Sequence, residues 1–150
     1  MSDPLNTPRF SLPLLAVAQA QKEVTHNEAL TLIDALIQPV VEAGPVNDPP
    51  SAPAVGQCWV VGSAPTGAWT GRDARLAIWT GGGWRFVTPR PAMCMTRLTD
   101  GIRLHFDGLF WSPAPSVAAP VGGAIIDAEA RAAIAALLSI LGAHGLVIAA

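Results

Sequence analysis

Residues 19–37 read QAQKEVTHNEALTLIDALI, and this stretch decides how the rest of the chain is organised. Thr25 stands three residues before Glu28, the spacing of a capping box. There the Thr hydroxyl takes an orphan N–H of the first turn and the Glu carboxylate reaches back. The spacing predicts a helix opening at Thr25. Leu30, Ile33, Ile37 and Val40 follow three and four residues apart, and Ala29, Leu32 and Leu36 widen the stripe. Pro39 ends the helix or bends its last turn. A helix apolar on more than one side needs neighbours, and other copies of the chain are expected to supply some of them.

On the N-terminal side, residues 1–13 hold Pro4, Pro8 and Pro13 and read as an extended arm, of the kind that lies on a neighbouring subunit. Residues 14–43 form the helical oligomerisation segment. Within it Leu14–Ala20 suits a short helical turn, and Gln19 and Gln21 are either a polar ring at a symmetry axis or solvated side chains. On the C-terminal side, residues 44–56 carry Pro45, Pro49, Pro50 and Pro53 and read as a stiff linker.

From 57 to 112 the signal changes to short strands with turn punctuation. Cys58–Val61 is a buried β run. Leu76–Thr80 and Trp84–Val87 flank Gly81-Gly82-Gly83, and Met93–Leu98 and Ile102–Phe106 flank Thr99-Asp100-Gly101. Asp107-Gly108 turns into Leu109–Trp111. The expectation is a small antiparallel meander of about five or six strands.

Residues 113–124 are a second linker, rich in Ala, Pro and Gly. Residues 125–150 hold a C-terminal helix and tail, with Asp127 as N-cap, Glu129 in the first turn and Gly142 just past the end. Ile134, Leu137 and Leu141 mark a seam with Ala130. Such a helix is marginal alone. It is expected to oligomerise, the alternative being a helix docked on its own sheet. The fold class is therefore α+β: an N-terminal oligomerising helix, the meander, and a C-terminal helix.

Half the residues are apolar (51%) but only 13% are charged, too little polar surface to cover a small protein, so burial in an assembly is the natural outlet. A net charge of −2 and nine scattered basic residues argue against nucleic acid as a partner. Residues 132–150 carry no charged side chain apart from His144 and approach the length of a membrane span. Gly142, His144 and Gly145 interrupt the run and no Lys/Arg cluster flanks it, so a span is disfavoured. The N-terminus has neither the basic nor the apolar region of a signal peptide. Cys58 and Cys94 read as two buried thiols of a protein assembled in the bacterial cytoplasm.

Catalysis needs convergent polar groups, and few converge here. His26, His105 and His144 lie far apart, with no metal-ligand spacing, so no metal or cofactor is expected. Gly81-Gly82-Gly83 lacks the Lys and helix of a phosphate loop. Glycoside hydrolysis needs paired carboxylates. Asp100 and Asp107 belong to Asp-Gly turns and nothing pairs with Asp73. The chain does not read as an enzyme.

All five tryptophans (Trp59, Trp69, Trp79, Trp84 and Trp111) fall in the β stretch. Indole faces suit sugar stacking, and they equally suit the core of a small sheet. Trp69 lies in the Gly/Thr-rich loop 62–73, so Trp69, Arg72 and Asp73, with Trp84 at the hairpin tip, form the expected exposed glycan contact.

The stretch AQAQKEVTHNEAL resembles the opening signature of a domain-of-unknown-function family found in tailed phages, prophages and gene transfer agents, whose members are tail-fibre or spike-type virion proteins. The likeness continues through Val55–Trp59, Gly67–Trp69, Leu76–Phe86 and Asp107–Pro113, and covers roughly Leu12 to Pro113. It implies a virion subunit, a tail fibre or head spike, that contributes to host-surface attachment, and a chain of 150 residues, too short for a long fibre, suits a base or connector. Its expected partners are its own copies (a trimer, or alternatively a five-fold ring), other virion proteins and a surface polysaccharide. The competing reading is a carbohydrate-binding module that recognises capsular or surface polysaccharide without catalysis.

Overall fold

The computed structural model describes residues 6–9, 12–15, 22–123 and 127–149. The fold is α+β, with two long helices and short strands. The chain divides into two compact units, Met1–Pro89 and Arg90–Ala150. The boundary falls inside the 57–112 stretch that reads as one β segment in the sequence.

The first unit contains α1 (Lys22–Ile37), β1 (Val40–Val41), β2 (Ala43–Val46), β3 (Cys58–Val61), a 3₁₀ turn (Gly67–Trp69), β4 (Leu76–Thr80) and β5 (Gly83–Val87). Its sheet has the order β2-β3-β4-β5. The β3–β4–β5 ladder is antiparallel, as the turn signals predict, whereas β2 runs parallel to β3. β2 lies in the segment expected to be helix end and linker. Gly44 makes it possible: φ is +147°, and a Cβ there would sit 2.6 Å from Val60 Cβ.

Helix α1 starts earlier than the capping-box spacing predicts, so Thr25 lies within the helix and does not cap it. Glu28 instead reaches out of the helix, accepting from Arg85 Nε at 2.7 Å. The helix stops at Ile37, two residues before Pro39. Its most buried positions are Asp34 and Ala35, while Ile33 and Ile37 face outward.

The described part of the arm lies on this same chain, which corrects the extended reading. Thr7 N–H donates to Leu12 O, Leu12 N–H returns to Thr7 Oγ1, and Asn6 bridges Pro13, so the segment doubles back. Arg9 then docks on the fold. Its backbone N–H donates to Asp34 Oδ2, and its guanidinium donates to the carbonyls of Ala35, Gln38, Val40 and Gly56. Asn27 clasps the Leu15 peptide through both its amide atoms. Gln19 and Gln21 fall outside the described residues.

The second unit contains β6 (Cys94–Arg97), β7 (Arg103–Phe106), β8 (Trp111–Pro113), β9 (Ser116–Val117), α2 (Ala128–Ala143) and β10 (Ile148–Ala149). β6, β7 and β8 pair antiparallel in sequence order. Leu104 and Phe106 turn to the buried side of β7 while Arg103 and His105 face outward, as the period of two requires. Asp127 caps α2, accepting from Ala130 N–H at 2.8 Å. The helix passes through Gly142 and ends later than expected. Gly145 N–H bonds Gly142 O and Leu146 N–H bonds Leu141 O, a Schellman motif whose left-handed residue is Gly145 (φ +65°).

The Ala/Pro/Gly segment expected to hold α2 away folds back on the C-terminal element. β9 pairs in parallel with β10, and Arg131 donates to the carbonyls of Pro120 and Gly122.

Candidate functional site

Register places the tryptophans. Trp59 stands opposite Ala77, Ala77 opposite Phe86, and Trp79 opposite Trp84. Directly opposed residues share a face of a sheet, so Trp59, Val61, Ala77, Trp79, Trp84 and Phe86 line one side of the first unit's sheet. The 3₁₀ turn folds Trp69 onto that side. The loop carrying it is pinned at Asn47 and Asp48: Thr66 N–H donates to Asn47 O, Ala64 N–H to Asn47 Oδ1, and Thr66 Oγ1 to Asp48 Oδ1.

The result is a cluster of four indoles. Trp59 meets Trp69 at 6.4 Å and Trp84 at 5.5 Å, and Trp79 meets Trp84 at 4.9 Å, the last two pairs edge to face. Trp69 is wholly buried, and its Nε1–H finds no acceptor among the described residues. The expectation of an exposed Trp69 is therefore corrected: the Gly/Thr-rich loop closes over it. The other three expected contacts stay at the surface. Arg72 and Asp73 are exposed, Trp84 is half-buried, and the Arg72 guanidinium stacks 4.9 Å above the Phe86 ring. Sugar stacking needs an open indole face, and here the indole faces are largely spent on one another.

The opposite side of this sheet holds Cys58, Val60, Leu76 and Ile78, all fully buried. Burial pushes the Cys58 thiol up to about 11, with nearby Arg9 pulling it down and Glu42 and Asp34 adding to the rise. A thiol held protonated in this way is a packing residue. Cys94 is half-buried rather than buried, and both cysteines are unpaired. No group of three or more His, Cys, Asp or Glu able to hold a metal ion occurs among the described residues.

The candidate assembly residues divide by helix. On α1, Leu30 is half-buried and Ile33 and Ile37 are exposed, with Val40 half-buried just beyond. On α2 no described residue is buried: Ile134, Leu137, Ile140 and Leu141 are all exposed, Leu137 at 59%. A second exposed apolar feature, which the strand pattern did not reveal, is the turn after β7. Asp107 Oδ1 accepts from both Leu109 N–H and Phe110 N–H, which holds its carboxyl below the usual carboxylate range and leaves both side chains outward. The Asp-Gly pair was the available signal for that turn.

No helix among the described residues is long and apolar enough to cross a membrane. No curated protein matches the sequence. Residues 26–112, more than half of the chain, match a family described as protein of unknown function (DUF2793). The match begins inside α1 and ends in β8, so it takes in the indole cluster and strands β6 and β7 of the second unit. The chain belongs to the DUF2793 family of proteins of unknown function.

Proposed function

We propose that this chain is a structural subunit of a phage-like particle or gene transfer agent, a tail-fibre or head-spike component that assembles from identical copies and contributes to host-surface attachment. The observation that carries the reading is the state of α2. Sixteen residues of helix with no buried side chain and a row of exposed Ile and Leu have too little to hold them in a single chain. Small-residue gaps at Ala130 and Ala133 let helices approach closely, which favours a symmetric bundle about a shared axis, three copies being the simplest. The exposed Ile33 and Ile37 of α1 add a second surface of the same character. The sequence resemblance to virion proteins supports the setting, and the absence of convergent polar groups in the sequence supports a structural role.

Two measurements test this. Multi-angle light scattering of the purified protein at micromolar concentration should give about three times the 15.5 kDa chain mass, and a monomer would remove the observation on which the reading stands. Immunogold labelling of particles induced from a host carrying the gene should decorate a tail tip or a capsid vertex. Unlabelled particles would exclude virion membership.

A further inference from the structure

A cavity of about 450 Å³ opens on the outward face of the second unit's sheet, within the range of small-molecule sites. Its floor is a row set by register: Cys94 opposite His105, and His105 opposite Ser112. Arg97 N–H donates to Ile102 O and Phe106 N–H to Met93 O, which puts Cys94 and His105 in the closely spaced, non-hydrogen-bonded rung. Arg103, two residues from His105, shares the face. One wall is Pro113–Pro115. The other is Gly145 and Leu146, held in place by Arg103 N–H to Gly145 O (3.1 Å) and Ile148 N–H to Pro115 O (2.9 Å).

The charge of this cavity selects its ligand. No carboxylate lines it, and the Arg103 guanidinium makes no hydrogen bond or ion pair among the described residues. Asp107, two residues from His105, accepts from the Leu109 and Phe110 N–H groups. Cys94 and His105 could offer two ligands to a soft cation, but metal sites draw on three or four, and a free guanidinium on the same face repels a cation. For an anion the same groups agree: a planar fork from Arg103, an imidazole N–H and the Ser112 hydroxyl. The proline and leucine walls offer a dry surface to the C–H side of a ring.

We propose that this cavity binds the carboxylate-bearing sugar residue of an acidic surface polysaccharide, the acid group on Arg103 and His105 and the ring between Pro113 and Leu146. The proposal rests on the attachment half of the function proposed above. It moves that half away from the indole cluster, and it does not depend on how many copies assemble.

The test is calorimetric titration and saturation-transfer NMR of the full chain with methyl β-D-glucuronide, methyl β-D-glucoside and acetate. The glucuronide should bind at least about tenfold more tightly than either comparator, and Arg103→Gln should weaken it about tenfold or more. His105→Gln should weaken it as well. Arg72→Gln, in the other unit, should leave it unchanged, and melting curves should match wild type for all three variants, whose side chains are largely exposed. Glucuronide binding that is absent, or unchanged in Arg103→Gln, overturns the proposal. So does acetate binding as tightly as the glucuronide, or Zn²⁺ binding that Cys94→Ser abolishes and Arg103→Gln spares. None of these outcomes alters the light-scattering mass, so the failure of this site is distinguishable from the failure of the particle reading.

Discussion

The Trp69 ring meets the Trp84 ring edge to face, centroids 5.1 Å apart at 80°, and no part of Trp69 reaches solvent. An indole placed in this way is a keystone of packing. Trp69→Ala is expected to cost about 3–5 kcal/mol, the range for removing a large buried aromatic side chain. Chemical denaturation followed by tryptophan fluorescence measures it, since four of the five indoles report on this unit. A loss under about 1 kcal/mol would mean that the loop carrying Trp69 opens readily and that the indole is available for contact after all.

Arg9 closes the first unit from outside its helix. Its guanidinium reaches Ala35 O (3.2 Å) and Gln38 O (3.3 Å) at the C-terminal end of α1, where the helix itself supplies no basic residue, and Val40 O (3.1 Å) and Gly56 O (2.9 Å) beyond it. The guanidinium spreads five N–H donors over three nitrogens and serves all four carbonyls, whereas an ammonium has three donors on a single nitrogen and cannot span them. Arg9→Lys should therefore lose about 1.5–3 kcal/mol, close to the loss for Arg9→Gln. The two melting temperatures check this. A Lys variant as stable as wild type would show that charge alone does the work.

What was legible in the sequence follows a physical division. Strands β3 and β4 coincide with the expected Cys58–Val61 and Leu76–Thr80 because a glycine directly follows each of them, Gly62 and Gly81. Helix α2 begins where Asp127 says it should, since a cap is a local hydrogen bond. The misreadings concern residues whose partners lie far along the chain. Glu28 bonds Arg85, 57 positions away, so the local capping-box spacing misleads. Trp69 is buried by a loop tied to Asn47, and composition alone makes such a loop look exposed. Gly142 has a cap's composition, but the left-handed turn falls at Gly145, where a Cβ would come 2.3 Å from Gly101 O. The outward row Cys94–His105–Ser112 exists only through strand pairing, so no spacing in the sequence could announce it.

Cys58 gives the protein a pH dependence with a defined window. Burial raises its thiol from an ordinary 9.0 to about 11, so between those values the folded chain keeps a proton that the unfolded chain releases. The unfolded state then binds fewer protons, and stability falls as pH rises through about 9 to 11. Below 9 the contribution is fully present. The background is quiet, because the chain has no tyrosine and Lys22 is its only lysine. Urea midpoints measured across this range should decline for wild type and decline less for Cys58→Ala. Thiol titration at about pH 8 should modify Cys94 in the folded protein and Cys58 only after unfolding. Rapid reaction of both thiols in the native protein would contradict the burial of Cys58.

Helix α2 separates assembly from stability more cleanly than any other element. Leu137 and Ile140 are 59% and 57% exposed, so in a lone chain Asp at either position removes almost no packing. In a helical bundle the same change buries an unpaired carboxylate at a repeated interface, with the penalty felt once per copy. Leu137→Asp with Ile140→Asp should therefore convert the assembled mass to that of a single chain, while the tryptophan-monitored unfolding of the first unit stays within about 0.5 kcal/mol of wild type. Exposed Thr88→Asp serves as the charge control, since it adds the same carboxylate away from the helix. A double variant that keeps the assembled mass would move the interface off α2. The exposed Ile33 and Ile37 of α1 would then be the surface to substitute next.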